Sequence, residues 1–313
     1  MWDKSYRKTC PKCHSRCVKK DGFKNWRQRY RCKECGHVFQ NKRRRKKKIS
    51  ENLWNEYCFR RQTYQNLSDD YGISTRTVQK YLDDYEFVDP KISPWDVVLL
   101  IDTTYFQDIG IMAFKDSTTK KIIHYTIVEY ENNFSYKQWV RELQEQWWNI
   151  QAIVCDGRRW LLGWFDDIPT QMCQFHQVAI LRRYITKKPI LEANKDLKYL
   201  GSILTCTDKE TFTYELKRYY EKHESFLKER RWNESNKKWE YKHKRTRSAY
   251  FSLRRNIEYL FCSYTYIWAI DIPTTTNALE WVFGHLKGKV SLHRGLRKER
   301  KIKLILTLLH GRD

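Results

Sequence analysis

The stretch Val97-Val98-Leu99-Leu100-Ile101-Asp102-Thr103-Thr104-Tyr105-Phe106 contains five consecutive aliphatic residues that lead directly into a carboxylate. Such a run is typical of a strand buried on both faces of a sheet. A carboxylate at the end of a buried strand is costly unless it is protonated, paired or bound to a cation. Asp102 therefore either marks the point where the strand reaches the surface or acts as a metal ligand at the end of a central strand.

A second stretch has the same pattern, because Ala152-Ile153-Val154-Cys155 leads into Asp156 and then Gly157. Between the two stretches the residue pattern predicts a strand over 110–114, a polar turn over 115–120, a returning strand over 122–130 and a helix over 136–148. Three antiparallel strands, a crossover helix and a parallel strand are typical of an α/β RNase H-like core. In that fold the first and fourth strands are neighbours, so we expect Asp102 and Asp156 to lie close together with a cation between them.

The composition points to a polyanionic partner. The 313 residues include 61 Lys and Arg against 37 Asp and Glu, a formal net charge of +24. An aromatic content of 15% separates the chain from a basic disordered tail. Nucleic acid is favoured over a membrane surface, because no basic amphipathic anchor or lipidation signal stands out. The absence of a signal-peptide core, and of an apolar run near the ~18 residues of a membrane span, favours a cytoplasmic protein.

Residues 1–40 contain two Cys-x-x-Cys pairs, Cys10/Cys13 and Cys32/Cys35, separated by eighteen residues. This spacing predicts a four-cysteine zinc ribbon with a structural Zn²⁺, because four thiolates leave no open position for catalysis. The alternating residues 23–32 predict a strand that enters the second pair, and Gly36 suits the tight turn after it. Cys17, His14 and His37 are interpreted as non-ligands. Four unligated cysteines are the alternative.

Residues 41–90 are interpreted as a basic linker followed by a helix-turn-helix module that binds DNA. The linker is the basic run over 41–48, either a solvated tether or an arm on the DNA backbone. A short helix should end at Gly72, and Ser74 should cap the next helix. That second helix would present Thr75, Arg76, Thr77, Gln79 and Lys80 to DNA. An ordinary helical hairpin is the alternative.

Residues 91–313 would form the catalytic domain, with an all-helical insertion over about 187–270 that is rich in Lys, Glu and Tyr. Cys173-x-x-His176 lacks a matching second pair, so the sequence does not favour another zinc site there. Glu280 lies on a helix that begins near Asn277, among apolar residues. By spacing alone, Glu280 is interpreted as a solvated helix residue.

Four of these motifs together resemble the DDE transposases, and within them the Mutator-like bacterial insertion-sequence group. They are Asp102 in Ile-Asp-Thr-Thr-Tyr-Phe, Asp156 in Val-Cys-Asp-Gly, Cys173-x-x-His176, and Glu280 in Thr-Thr-Asn-Ala-Leu-Glu. The resemblance covers roughly residues 97–300. Trp281 departs from the pattern, because a small residue often follows the glutamate in that group.

The resemblance implies a catalytic triad of Asp102, Asp156 and Glu280 that holds two Mg²⁺ ions, with Mn²⁺ as a substitute. It also assigns His176 to orienting a phosphate or a carboxylate, with a purely structural histidine as the alternative. Phosphates would be neutralised by the insertion and by basic residues near the end of the sequence, namely Lys287, Lys289, Arg294, Arg297 and Lys298.

The function implied is cut-and-join DNA transposition, in which the N-terminal modules recognise double-stranded element ends. Such an enzyme would work on the bacterial nucleoid as a homodimer or a higher oligomer. Two other functions stay open: a non-catalytic DNA-binding regulator that retains the fold, and an RNase H-like nuclease that cuts without strand transfer.

Overall fold

The computed structural model describes residues 9–25, 27–40, 45–60, 62–158, 160–165, 167–265, 270–293 and 295–311. The chain divides into two compact units, Met1–Tyr85 and Glu86–Asp313. Helices and strands occur in both units, so the protein belongs to the mixed α/β class. None of the helices within the described ranges is both long and apolar enough to cross a bilayer.

The first unit begins with a three-stranded antiparallel sheet, β1 (Val18–Lys24), β2 (Arg27–Cys32) and β3 (Val38–Gln40). The single strand predicted over 23–32 is wrong, because the chain reverses at Asn25, which has a left-handed φ of 50°. Phe23 consequently pairs with Gln28 across a hairpin. The strand that enters the second cysteine pair is β2, which ends at Cys32.

Three helices follow in the first unit, α1 (Arg45–Phe59), α2 (Tyr64–Tyr71) and α3 (Thr75–Asp83). The linker predicted over 41–48 is wrong for its second half, because residues 45–48 open α1; residues 41–44 lie outside the described ranges. Lys and Arg are good helix formers, and the buried side chains of Leu53, Trp54 and Tyr57 anchor the rest of α1.

The two helix boundaries predicted at Gly72 and Ser74 are confirmed. Gly72 ends α2 in the left-handed conformation, with φ 59°. The Ser74 side chain accepts a hydrogen bond from the backbone N–H of Thr77 and so caps α3. Ser50 then donates to the Tyr81 carbonyl at 2.8 Å, which ties α1 to α3.

The second unit is built on a five-stranded mixed sheet of order β6-β5-β4-β7-β8. The strands and the helix that connects the two halves are β4 (Asp96–Phe106), β5 (Ile109–Asp116), β6 (Ile122–Val128), α4 (Asn133–Glu145), β7 (Asn149–Cys155) and β8 (Thr170–Met172). Strand β4 is antiparallel to β5 and parallel to β7. The predicted adjacency of the two strands that lead into Asp102 and Asp156 is therefore confirmed.

The register of β4 and β7 brings the two aspartates near each other. Leu99 pairs with Ile153 and Leu100 with Val154; two residues further along, Asp102 still lies within β4, whereas Asp156 follows the end of β7. Burial of Val97 through Ile101 drives this arrangement, because all five side chains are almost fully inaccessible. The predicted position of Asp102 at the end of its strand is wrong, because pairing with β5 continues β4 to Phe106.

The rest of the second unit is mostly helical. Its elements are α5 (Gln174–Ile185), α6 (Glu192–Ile203), α7 (Lys209–Lys228), β9 (Arg230–Asn233), β10 (Lys238–Tyr241), α8 (Lys244–Leu260), α9 (Cys262–Thr265), α10 (Asn277–Leu292) and α11 (Lys298–His310). The prediction of an all-helical insertion over about 187–270 is wrong in one respect, since β9 and β10 form an antiparallel hairpin. Trp232 pairs with Trp239 there, and cross-strand aromatic pairs of this kind stabilise a hairpin.

A buried polar network fixes α8 against α5. Gln177 donates to Ser252 at 2.9 Å and accepts from Asn256 at 2.9 Å. Gln174 and Gln171 both donate to the Leu260 carbonyl. Since each of these buried groups is satisfied by a partner on the facing element, the network specifies one alignment of the two helices.

Candidate functional site

The first candidate site is the cysteine cluster of the first unit. The ligand atoms of Cys10, Cys13, Cys32 and Cys35 all lie within 4.8 Å of one another. The sulfur of Cys10 lies 3.6 Å from that of Cys35, and Cys13 lies 3.5 Å from Cys32. A tetrahedral zinc ion with Zn–S bonds of about 2.3 Å separates its sulfurs by about 3.8 Å. The four side chains could therefore bind a structural zinc ion with little movement.

The two cysteine pairs lie on matching backbone turns. The N–H of His14 donates to the Cys10 carbonyl, and the N–H of Gly36 donates to the Cys32 carbonyl. Both His14 and Gly36 have a left-handed φ, 57° and 69°. The turn predicted at Gly36 is confirmed, and His14 fulfils the same backbone role in the first pair. Backbone N–H groups of Cys35 and Glu34 lower the pKa of Cys32 to about 7, whereas the neighbouring thiols Cys35 and Cys32 raise the pKa of Cys13.

The residues predicted to face DNA on α3 do not share one environment. Arg76, Gln79 and Lys80 are exposed, as expected. Thr75 and Thr77 are half-buried, and the Thr77 hydroxyl lies 2.9 Å from that of Ser74 at the helix cap. Thr77 is therefore engaged in starting the helix, and of the five residues predicted to face DNA the exposed ones are the two cations and the glutamine.

The second candidate site surrounds the paired aspartates of the second unit. Asp102 accepts a 2.8 Å hydrogen bond from the Thr103 backbone, and Asp156 accepts one of 3.2 Å from the Arg158 backbone. Burial raises the pKa of Asp102 to about 7, with Asp156 and Glu131 contributing in the same direction. Burial, followed by Glu131, also raises the pKa of Asp156. Two half-buried carboxylates that repel each other favour a bound cation between them.

His176 links the aspartates to Glu280. Its positive charge would lower the pKa of both Asp102 and Asp156, and its Nδ1 lies 3.8 Å from Glu280 Oε1. The Cys173 sulfur raises the pKa of His176 to about 9. The ligand atoms of Cys173, His176 and Glu280 lie within 4.8 Å of one another, whereas the described residues contain no such close group of Asp102, Asp156 and Glu280. The sequence-predicted residues thus form two neighbouring clusters that share His176.

Glu131 is a functional candidate that the sequence reasoning missed. It forms a salt bridge with Arg158, accepts a 2.7 Å hydrogen bond from the Tyr136 hydroxyl and raises the pKa of both aspartates. Tyr136 in turn lies 2.7 Å from the Thr103 hydroxyl, next to Asp102. This chain of contacts fixes the part of β4 next to Asp102 relative to the loop that follows β7.

A groove of about 890 Å³ opens beside Asp156. Among the described residues that line it, Asp156 is the sole carboxylate, and five are cations: Arg158, Arg183, Lys244, Arg247 and Arg255. The Arg247 guanidinium lies 3.8 Å from the centre of the Tyr241 ring and 4.5 Å from that of Phe251. Several guanidinium groups and aromatic rings on one concave surface are suited to binding a polyanion.

The sequence contains a signal for the part of the groove that α8 forms, because three of its cations are spaced to share one helix face. Lys244, Arg247 and Arg255 lie at helical spacing, so they share one face of α8. The sequence alone identified only the charge of this region, because the facing residues of α5 come from about seventy positions earlier in the chain.

The predicted basic residues near the end of the sequence lie apart from this groove lining. Lys287 and Lys289 are on α10, Arg297 caps α11, and Lys298 forms a 3.3 Å ion pair with Asp108. Arg294 lies outside the described residues. Lys287 instead lines a second, smaller cavity of about 610 Å³ beside Tyr105 and Lys301.

Comparison with known proteins identifies no relative: no family model matches the chain, and neither does any curated protein. Function is therefore inferred from the residues and their geometry. The two aspartates, the cation-lined groove and the cysteine cluster are the features from which that inference starts.

Proposed function

We propose that the chain is a DDE-type DNA transposase, similar to the Mutator-like bacterial insertion-sequence group, that binds element ends and then cuts and joins DNA. One observation carries this proposal. Asp102 and Asp156 lie on or directly after two adjacent parallel strands, and Asp156 lines a groove that also contains five cations. A polyanion held in the groove would bring its phosphodiester linkage to Asp156, with Asp102 on the neighbouring strand, which is the arrangement that metal-assisted phosphoryl transfer requires.

The proposal includes an RNase H-like catalytic fold. The strand order β6-β5-β4-β7-β8 and the parallel pairing of β4 with β7 through the crossover helix α4 support it. The segment over about 187–270 would be the insertion that precedes the third carboxylate. Its helix α8 contributes three of the five cations of the groove, Lys244, Arg247 and Arg255.

The proposed cofactors are two Mg²⁺ ions, with Mn²⁺ as a substitute. Asp102 and Asp156 fit such ions, because they offer oxygen donors whose pKa burial raises in the absence of a cation. Glu280 is the proposed third ligand, with one carboxylate oxygen near His176. When bound, the ions would activate a water or a DNA 3′-hydroxyl and stabilise the departing oxygen.

The remaining residues have positioning roles in this proposal. Arg158 holds Glu131 and thereby the loop after β7, while Arg183, Lys244, Arg247 and Arg255 bind phosphates along the groove. His176 orients a backbone phosphate or the Glu280 carboxylate. Arg76, Gln79 and Lys80 on α3 recognise the element ends, and the zinc-binding cysteines stabilise the segment before them.

Transposition requires two DNA ends to meet, so the proposed active form is a homodimer or a higher oligomer assembled on DNA in the bacterial nucleoid. The regulator and nuclease alternatives predict different products. A regulator binds DNA without cutting, whereas a nuclease cuts without joining the ends to a second duplex.

The experiment is a cleavage and joining assay with Mg²⁺ on duplexes that carry the DNA flanking the gene on each side. Asp102→Asn, Asp156→Asn and Glu280→Gln are compared with wild type. Each substitution removes a charge with little change in volume, so we expect DNA binding to persist while nicking and joining are lost. A matched control is Asp96→Asn, since Asp96 is the first residue of β4, the strand that contains Asp102, and its side chain is exposed.

The products distinguish the functions. Nicking and joining by wild type and by Asp96→Asn, but by none of the other three variants, is the result expected of a DDE transposase. Nicking without joining identifies a nuclease. Binding without any cut, at equal affinity in all five proteins, would refute the enzymatic proposal in favour of a regulator.

A further inference from the structure

We infer that Cys173, His176 and Glu280 form a binding site for a divalent metal ion of the zinc class, separate in kind from the proposed Mg²⁺ site. The inference goes beyond the proposed function and does not depend on it. It rests on geometry, on one buried ring nitrogen and on the chemistry of the three side chains.

The three ligand atoms come together at the meeting of two helix starts. Cys173 caps α5, His176 lies in the first turn of α5, and Glu280 lies in the first turn of α10. Their ligand atoms all lie within 4.8 Å of one another, and His176 Nδ1 lies 3.8 Å from Glu280 Oε1. Ligands on one tetrahedral zinc ion are separated by roughly 3.3–3.8 Å, so only small movements are needed.

His176 Nδ1 is the atom that most clearly lacks a partner. It is inaccessible to solvent and has no hydrogen-bond partner among the described residues. Its separation from Glu280 is too long for a hydrogen bond. Buried polar atoms are nearly always satisfied, and a metal ion between this nitrogen, the Cys173 sulfur and the Glu280 carboxylate would give the nitrogen its partner. Glu280 Oε1 itself accepts a 3.2 Å hydrogen bond from the Thr276 hydroxyl.

The surroundings of Cys173 favour a thiolate ligand. The Thr276 backbone N–H lies 3.4 Å from the sulfur, and the Thr276 hydroxyl lies 3.3 Å from it. Donors of this kind stabilise and orient a metal-binding thiolate. The Gln174 N–H also donates to the Thr274 carbonyl at 3.0 Å, which braces the start of α5 against the segment that leads into α10. The cysteine side of the site is thus preformed.

The donor set selects the metal. A thiolate, an imidazole and a carboxylate suit Zn²⁺ or Co²⁺ and do not suit Mg²⁺, which prefers oxygen ligands. Three protein ligands would leave a fourth position open for water or a substrate oxygen. Because Glu280 has two carboxylate oxygens, one can bind in this cluster while the other stays available to a second ion.

The test counts metal in the full chain without DNA. After loading with Zn²⁺ and removal of excess ion, we expect wild type to hold two zinc ions, one in the cysteine cluster of the first unit and one here. Cys173→Ser, His176→Gln and Glu280→Gln should each hold one. Cys206→Ser is the matched control, because Cys206 is an exposed cysteine of the same unit outside the cluster.

Two further measurements sharpen the test. Loading with Co²⁺ should give a thiolate charge-transfer absorption that decreases in Cys173→Ser and is unchanged in Cys206→Ser. Thr276→Val should keep the site but weaken its metal affinity by about 10- to 100-fold. One zinc ion in wild type, or two in each of the three ligand variants, would overturn the inference. Because no DNA is present, this outcome is distinguishable from a failure of the cleavage assay.

Discussion

The four-cysteine cluster of the first unit and the carboxylate site of the second unit bring their residues together in opposite ways. The cysteine cluster takes its four ligands from 26 consecutive residues, and its sulfurs lie at metal-binding distance. The carboxylate site takes its residues from positions 102 to 280, and two sheet strands and two helices bring them together. In the first unit a metal would hold the local fold, whereas in the second unit the fold holds the residues.

This difference predicts that metal removal affects the two sites unequally, and this is the largest effect expected. Chelation should unfold residues 9–40, because their strands bury few apolar side chains and zinc binding supplies ~10–16 kcal/mol to such modules. The β4–β7 sheet, whose strands are deeply buried, should keep its structure. NMR spectra recorded before and after chelation measure both.

Two cysteine variants control this experiment. Cys32→Ser should unfold the module even with zinc present, whereas Cys17→Ser should not, because Cys17 is exposed and lies outside the cluster. Retention of the NMR signals of residues 9–40 after chelation would mean that backbone hydrogen bonds and packing keep the module folded without a metal. The proposed contrast with the second unit would then be wrong.

How far each site could be predicted follows from the same comparison. The cysteine ligands and the turn at Gly36 depend on residues within a few positions of one another, so spacing alone predicted them. The two aspartates were predictable as neighbours because each follows a run of buried apolar residues and because the two runs belong to adjacent parallel strands. That Asp102 lies within β4 was not predictable from the run itself, because the further pairing of β4 with β5 depends on a different part of the chain. Glu131 could not be predicted, because nothing near it in the sequence indicates that Tyr136 and Arg158 will hold it near the two aspartates.

Two errors have a related cause. The helix predicted over 136–148 extends too far, because α4 ends at Glu145; Trp147 adopts a left-handed φ of 70° and is 87% exposed. The β9–β10 hairpin interrupts a region whose composition favoured helices. Helix propensity is a weak guide where a short turn and aromatic cross-strand pairs compete with it.

The second-largest effect is expected from the titration of His124. It tests whether packing alone stabilises the second unit or whether the protonation state of a half-buried side chain also matters. Burial lowers the pKa of His124 to about 4, against about 6.5 in an unfolded chain. The folded state therefore binds its proton less tightly than the unfolded state. The neutral, half-buried His124 ring therefore makes its full contribution to the free energy of unfolding above pH 6.5. As the pH falls towards 4, this free energy decreases by ~2–3 kcal/mol, after allowance for the partial exposure of the ring.

Hydrogen exchange of the β5 and β6 amides between pH 4 and pH 7 measures this loss. His124→Phe is the matched variant, because a phenyl ring can retain the contact with Trp139, whose ring centre lies 4.1 Å from that of His124. The wild-type loss should exceed that of His124→Phe. Equal losses in both proteins would assign the acid sensitivity to other groups.

A smaller effect is expected from one glycine of the sheet. A Cβ atom at Gly110 would lie 2.6 Å from the Val128 carbonyl oxygen and 2.9 Å from the Tyr105 ring. Gly110→Ala should therefore push β6 away from β5 and lower the free energy of unfolding of the second unit by ~1–3 kcal/mol. Gly163→Ala is the control, because its nearest contact would be 3.6 Å from the Tyr259 hydroxyl. Denaturant unfolding that shows no difference between the two variants would mean that the strands separate without cost.

The smallest effect is expected on the exposed face of α3, where neither a metal nor a core is at stake. Arg76→Ala and Lys80→Ala should leave stability unchanged, because both side chains are exposed. If each contacts a phosphate, each substitution should weaken binding and reduce the salt slope of log K by about one.

Arg60→Ala provides the comparison, since Arg60 is an exposed cation of the same unit that pairs with Glu56. The probe is the duplex that wild type enriches from a random-sequence pool, titrated at several salt concentrations. A slope that is unchanged in both α3 variants would move DNA recognition away from this helix and leave the cation-lined groove of the second unit as the principal contact with nucleic acid.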